Sequence, residues 1–291
     1  MKKFFCAFLV SLLPSLVLAE LTCRDDFEDK ICDLVNSDNC DPIIADFYAN
    51  TLVEILETAH PTIQRLACDI ERYEIRDLGE IAGQYKYRTK ILRLDFALFE
   101  VEVEDDDEHL KSESPNFLNE NLVYFQKSDP LALSTLRRVL YHELAHYLED
   151  RFLTFGGAFH CKPYQPLTPA LIQQSLCFDE CRQEFSAEEV ASAFTDLSQT
   201  SHISFYSLRS QMEDFADLAS YSLLLTPADA QAFFTFNDVK IYDFKEAVSS
   251  QRLAQKMRVV NMLLDPPFDD QNDADSLRYE SITCTGRFGP L

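Results

Sequence analysis

The spacing of apolar residues along the chain changes period several times, and each change marks an element. Ile44, Phe47, Tyr48, Leu52, Ile55 and Leu56 recur at helical spacing after Asp41-Pro42, which can open a helix, and His60-Pro61 should close it. A second helix is predicted over residues 62–74. From residue 84 to 103 the period falls to two, with Tyr85, Tyr87, Thr89 and Ile91 and then Phe99, Val101 and Val103, which predicts two strands or one long bent strand. Residues 121–126 form a short apolar strand candidate. The turn Ser128-Asp129-Pro130 leads into a strongly apolar helix that runs to about residue 152 and is stopped by Gly156-Gly157. Helices resume near residue 186, where Ser186-Ala187-Glu188-Glu189 fits a capping box, and again over residues 207–225 ahead of Pro227. The tail from residue 265 reads as loop, and no internal repeat is found.

The first residues follow a different logic. Lys2 and Lys3 precede an apolar run from Phe4 to Leu18, and Val17-Leu18-Ala19 offers a cleavage site before Glu20, so residues 1–19 read as a secretory signal. The run is interrupted by Pro14 and is too short to span a bilayer, so no stable membrane anchor is expected and the protein should be exported, to the periplasm or beyond the cell. Nine cysteines are present, and removing Cys6 with the leader leaves Cys23, Cys32, Cys40, Cys68, Cys161, Cys177, Cys181 and Cys284. An even set in an exported chain predicts disulfides, with the pairing left open. Cys177 and Cys181 imitate a metal pair, but no second pair with histidine spacing accompanies them.

Composition narrows the choice of partner. Hydrophobic residues make up 46% and charged residues 26%, as in folded soluble domains, while 49 acids against 26 bases give a formal charge of −23. No basic cluster interrupts this balance, so no nucleic-acid partner is expected. The acid run from Glu104 to Glu108 lacks the spaced Asp/Asn and Gly of a calcium loop and reads as a solvated segment.

The chemistry concentrates in Tyr141-His142-Glu143-Leu144-Ala145-His146-Tyr147, an H-E-x-x-H motif inside the apolar helix. Residues four apart share a helix face, so His142 and His146 can reach one ion while Glu143 stands beside it as a general base. Imidazole ligands with a position left for water suit Zn2+. Leu136, Leu140 and Leu144 imply a buried helix, where two histidines without a partner would be costly. The metzincin pattern would place a histidine six residues after His146, where Phe152 stands, so a third ligand must come from elsewhere. In Glu213-Asp214-Phe215-Ala216-Asp217, Glu213 and Asp217 lie one turn apart. Glu213 can coordinate the ion while Asp217 accepts the outer N–H of a liganding imidazole. Glu149 and Asp150 follow His146 too closely to be ligands and read as surface charges, Asp150 having a possible outer-partner role. Tyr221 reads as a packed aromatic, and His160 and His202 as loop histidines. No G-x-S-x-G and no Gly-rich phosphate loop is present.

H-E-x-x-H followed at a distance by E-x-x-x-D resembles the gluzincin metallopeptidases. More narrowly, Ser204-Phe205-Tyr206 ahead of Glu213-Asp214-Phe215-Ala216-Asp217 looks like the S-x-Y and E-x-F-A-[ED] block of the lethal-factor-like and related bacterial zinc peptidases. The resemblance spans residues 121–225. It implies an α+β, zincin-like catalytic domain, with a small mixed sheet over an active-site helix and a helical lower part. It also implies a zinc endopeptidase acting on peptide or protein substrates, exported on the strength of the leader, with one zinc per chain and Tyr206, seven residues before Glu213, as a donor to the developing oxyanion. The expected organisation is a signal at 1–19, a helical cysteine-bearing region at 20–78, and a catalytic domain at 79–291 carrying a disulfide-held insertion at 156–185. Two other classes share the motif: a zincin scaffold that binds or regulates without turnover, against which the intact Glu143 argues, and a zinc amidase acting on cell-wall peptide.

Overall fold

Pro42 stands at the start of the first long helix. Helix α2 covers Pro42–Glu57, with Leu52, Val53, Ile55 and Leu56 buried, and the side-chain amide of Gln64 caps its far end by donating to the Leu56 carbonyl (2.9 Å). The computed structural model describes residues 27–32, 42–79, 81–99, 122–125, 131–152, 187–228, 230–236 and 239–265, together with Cys23. The expected signal, the acid run, the insertion at 156–185 and the tail beyond residue 265 lie outside the described residues.

Before α2 comes the short helix α1 (Phe27–Cys32), whose Phe27 and Ile31 are buried, and after it α3 (Pro61–Asp69), capped by the His60 ring accepting from the Thr62 N–H. A disulfide joins Cys23 to Cys68. Cys32 ends α1, and Cys40, Cys161, Cys177, Cys181 and Cys284 lie outside the described residues. Helix α3 stops short of the predicted residue 74. From Arg72 the burial alternates, with Tyr73 and Ile75 inside and Arg72 and Arg76 outside, so the segment is strand β1 (Arg72–Arg76). Burying the Tyr73 ring against Phe27, with its hydroxyl donating to the Ala67 carbonyl (2.8 Å), favours this over another helical turn.

Of the period-two stretch, Tyr85 lies in β2 (Gly83–Lys86) and Ile91 opens β3 (Ile91–Asp95), while Tyr87 and Thr89 fall in the turn between them; Phe99 closes a 3-10 turn at Phe96–Leu98 instead of starting a strand, and Val101 and Val103 lie outside the described residues. The three strands form a mixed sheet in the order β1-β3-β2, parallel between β1 and β3 and antiparallel between β3 and β2. Arg93 on the central strand bonds Glu74 (2.6 Å) on one side and Gln84 (3.0 Å) on the other, both of them its register partners. Strand β1 belongs by position to region 20–78, yet it pairs with a strand of the expected catalytic domain.

Helix α4 (Leu131–Phe152) is buried at every position from Leu136 to Glu149, because β2 and β3, α3 and the later helix at Gln211–Leu224 all pack on it. After α5 (Ala187–Leu197), the helix expected over 207–225 is in two pieces. A 3-10 turn at Tyr206–Leu208 is separated from α6 (Gln211–Leu224) by Ser210, whose extended backbone lets its hydroxyl accept from the Glu213 N–H (3.1 Å) as an N-cap. A second sheet, antiparallel and ordered β4-β5-β6, joins β4 (Leu122–Phe125), β5 (Gln231–Phe236) and β6 (Val239–Asp243). Phe194 of α5 stacks on Phe234 (4.5 Å) and meets Phe205 edge-on (4.7 Å) to fill that side. Helices α7 (Phe244–Val248) and α8 (Ala254–Leu264) complete the chain, and the Thr62 hydroxyl donates to the Leu264 carbonyl, fastening α8 to α3. The architecture is therefore α+β, with two small sheets and eight helices among the described residues. None of these helices is long and apolar enough to cross a membrane.

Candidate metal centre

The 3.6-residue period of α4 puts His142 and His146 on one face, and the N-terminal turn of α6 carries Glu213 to them. His142 Nε2 and His146 Nε2 are 3.1 Å apart and lie 3.0 and 3.2 Å from Glu213 Oε2. Ligand atoms bound to one tetrahedral ion at about 2.0–2.1 Å stand about 3.3 Å from one another. The three atoms thus fit around a single metal ion, with the imidazoles buried and Glu213 half-buried.

The outer partners of the two rings differ. His142 Nδ1 lies 3.0 Å from Asp217 Oδ1, and Asp217, fully buried, also accepts from Arg138 Nη1 (3.3 Å) and from the Ser204 hydroxyl. This fixes the His142 ring and directs its Nε2 toward the shared centre. His146 Nδ1 is buried without a hydrogen-bond partner among the described residues. Ser204 also accepts from the Ser207 N–H (3.0 Å), so a single hydroxyl links Asp217 to the turn that holds Tyr206.

The charges respond to one another. Burial alone would lower the His142 pKa, but the Asp217 and Glu213 carboxylates outweigh it and push the ring up to about 10. Burial alone would raise Glu213, yet the hydrogen bonds from His142 and His146 hold it well below the usual carboxylate range. Glu143 is raised, chiefly by burial, with the two imidazoles pulling the other way.

Glu143 is placed by the sheet. Its Oε2 accepts the backbone N–H of Tyr85, and β2 comes close enough to donate because residue 83 is glycine: a Cβ there would lie 2.6 Å from Val139 Cγ1 and 2.9 Å from Glu143 Cγ. The Tyr206 ring is 5.6 Å from the His142 ring, with the Arg209 guanidinium 5.0 Å from its centroid. Burial and then the Glu213, Asp217 and Glu143 carboxylates raise its pKa, so the phenol stays protonated and able to donate.

The structure therefore brings His142, Glu143, His146, Glu213, Asp217 and Tyr206 into one cluster. The reading of Glu149 as a surface charge is overturned: it is buried, with the Tyr87 hydroxyl 3.5 Å away. Asp150 is not an outer partner of a ligand; it accepts from the Tyr85 hydroxyl and the Arg88 N–H, both at 2.8 Å. Tyr221 is packed, stacked on Phe244 (4.5 Å). His202 lies in the loop before Tyr206, 3.1 Å from the Ser207 carbonyl, and His160 is outside the described residues. Residues not found from sequence are Gly83, Tyr85, Tyr87 and Arg138. Arg138 alone had a usable signal, since it sits one turn before His142 on the same face.

Compared with protein-family models, with curated proteins and with solved structures, the chain matches none.

Proposed function

We propose that the chain is a zinc-dependent endopeptidase of the gluzincin type, built on a zincin-like fold and acting on peptide or protein substrates outside the cytoplasm. The observation that carries this reading is the meeting of His142 Nε2, His146 Nε2 and Glu213 Oε2 at 3.0–3.2 Å with the Glu143 carboxylate alongside. Two imidazoles and one carboxylate are a donor set suited to catalytic Zn2+. The Cys23–Cys68 bridge and the leader-like N-terminus support export.

A bound zinc would supply Lewis acidity toward a peptide carbonyl and acidify a water molecule. His142, His146 and Glu213 would hold it, and Asp217, by accepting the Nδ1 proton of His142, keeps the Nε2 lone pair free for it. Glu143, oriented by the Tyr85 N–H, removes a proton from the attacking water and passes it to the leaving amine. Tyr206 donates its phenolic proton in a hydrogen bond to the oxygen that gains charge. Among the described residues strand β4 is an outer strand of its sheet, which supports its use as an edge on which an extended substrate pairs.

The test is metal content and peptidase activity of the purified protein with and without chelator, beside the Glu143→Gln variant. About one zinc per chain, cleavage abolished by chelation and restored by zinc, and a zinc-loaded Glu143→Gln slowed by orders of magnitude are expected. Wild-type turnover in that variant, or chelator-insensitive cleavage, would sink the proposal. Intact cell-wall peptide offered in parallel separates the amidase reading, and a zinc-loaded wild type that cleaves neither substrate supports the idle scaffold.

A further inference from the structure

Two of the large apolar side chains left exposed, Tyr87 (37%) and Met212 (39%), come from different elements and meet at the rim of the candidate centre. Tyr87 follows β2 and its ring lies 6.2 Å from the His146 ring; Met212 immediately precedes Glu213. The Tyr87 hydroxyl donates to Met212 Sδ (3.1 Å) and lies 3.5 Å from Glu149, so the donor is already engaged and the rest of the side chain is apolar. The turn that presents the ring is held firmly. Arg88 and Lys90 both have left-handed backbones (φ 61° and 50°), the Arg88 N–H is tied to Asp150 (2.8 Å), and the Lys90 ammonium to Asp69 (2.9 Å). Non-glycine residues in that conformation persist where the surroundings fix them, and such fixed turns cluster at ligand clamps.

We propose that Tyr87 and Met212 form an apolar subsite that receives a large hydrophobic side chain of the substrate, one residue away from the scissile bond or next to it. An aromatic face beside a flexible thioether suits aromatic and long aliphatic groups. The Glu149, Asp150 and Glu213 carboxylates around it disfavour an acidic side chain at that position. Tyr206 flanks His142 and Tyr87 flanks His146, so the two phenols divide the labour: one meets the reacting carbonyl, the other the side chain that selects it.

This inference rests on the peptidase reading, and its test separates the two. The chain contains no tryptophan, so the fluorescence of a Trp-bearing peptide reports only the peptide's own surroundings. Peptides of the form acetyl-Ala-Ala-X-Ala-Ala-amide, with X as Trp, Leu, Ala or Glu, are titrated into the zinc-loaded Glu143→Gln protein and, separately, offered to wild type for cleavage. Trp and Leu peptides are expected to bind and to be cleaved at least about tenfold better than Ala or Glu peptides. Tyr87→Ala and Met212→Ala should erase most of that preference with zinc content unchanged, and Tyr87→Phe should keep it. Equal loss for every X in Tyr87→Ala, or no preference in wild type, overturns the subsite. Tyr87-dependent binding of the Trp peptide with no cleavage by wild type would leave the subsite standing and remove the peptidase reading; cleavage indifferent to Tyr87 would do the reverse.

Discussion

Gly83 and Glu143 are in contact, with no room between them for a side-chain carbon: the Cβ that any other residue would carry falls 2.9 Å from Glu143 Cγ and 3.0 Å from its Oε1. The approach of strand to helix that this permits is what delivers the Tyr85 N–H to the Glu143 carboxylate. Gly83→Ala must therefore push β2 off α4 or turn Glu143 out of place. With His142, His146 and Glu213 untouched, zinc content should stay near one per chain while kcat falls by about 10- to 1000-fold. A Gly83→Ala protein with wild-type kcat would show that the donated hydrogen bond is dispensable.

Three substitutions around the centre should fail in three different ways. Glu213→Ala removes a ligand and should lose most of the metal, since two imidazoles alone hold it weakly. Asp217→Ala should weaken metal affinity by about 10- to 100-fold, the usual effect of removing an outer hydrogen-bond partner. It should also destabilise the fold by about 1–3 kcal/mol, because the buried Ser204 hydroxyl loses its Asp217 acceptor and Arg138 loses one of its partners. Tyr206→Phe should keep the metal and slow turnover by about 10- to 1000-fold. Metal analysis and denaturant melts on the same preparations separate them, and a Glu213→Ala protein that retains stoichiometric zinc would place the third ligand elsewhere.

The pH dependence of the metal-free protein follows from the same cluster. His142, raised to about 10 by Asp217 and Glu213 against the effect of burial, contributes stability that is complete below its unfolded pKa of about 6.5 and is lost as pH rises toward 10. Glu213, whose pKa burial would raise and the imidazoles lower, contributes stability that is complete above its unfolded value of about 4.3 and lost as pH falls below that. The cluster should therefore favour the metal-free fold most between about pH 4.5 and 6.5. Ligation requires a neutral His142, so zinc binding at pH 7–8 should release about one proton. Calorimetric titration in buffers of different ionisation enthalpy measures this, and a binding heat independent of buffer would contradict it.

Removing the Cys23–Cys68 bridge should cost about 2–4 kcal/mol, as expected for a cross-link closing a loop of 45 residues. The double variant Cys23→Ser with Cys68→Ser, followed by denaturant unfolding, tests it. The neighbouring Asp69 accepts from the Tyr147 hydroxyl on α4, so kcat should also fall if the bridge helps to seat that helix. An unchanged midpoint would mean that the remaining contacts of α1 suffice.

The parts of the site that were legible in the sequence are those set by local geometry. His142 and His146 share a face because a helix repeats every 3.6 residues, and Glu213 with Asp217 follows the same rule. What depends on one element approaching another was not legible. Gly83 stands just ahead of the alternating run that begins at residue 84 and carries no signal of its own until α4 lies against it, and Tyr87 belongs to that run, its partner set only by the turn after it. Charge usually marks a surface, which hides Glu149 from a sequence reading, whereas α4 is buried at every position from Leu136 to Glu149. The end of α3 was misplaced because no glycine or proline separates Asp69 from Arg72. Strands β5 and β6 leave no clean two-residue period in the sequence, because their ladder carries an irregularity at Phe234/Thr235.

With Tyr87 in the proposed subsite, the left-handed turn at Arg88 and Lys90 would set stability against selectivity. Each such residue sacrifices roughly 1–2 kcal/mol relative to an ordinary backbone, and the bond that ties Arg88 to Asp150 comes from its backbone N–H, which a glycine would keep. A glycine at 88 would relax the conformation and raise the melting temperature, yet it would also widen the range of positions that the neighbouring aromatic ring can visit. The frustration in this turn is thus the counterpart of a firm rim beside His146, and a thermostable variant obtained by removing it should be a less discriminating one.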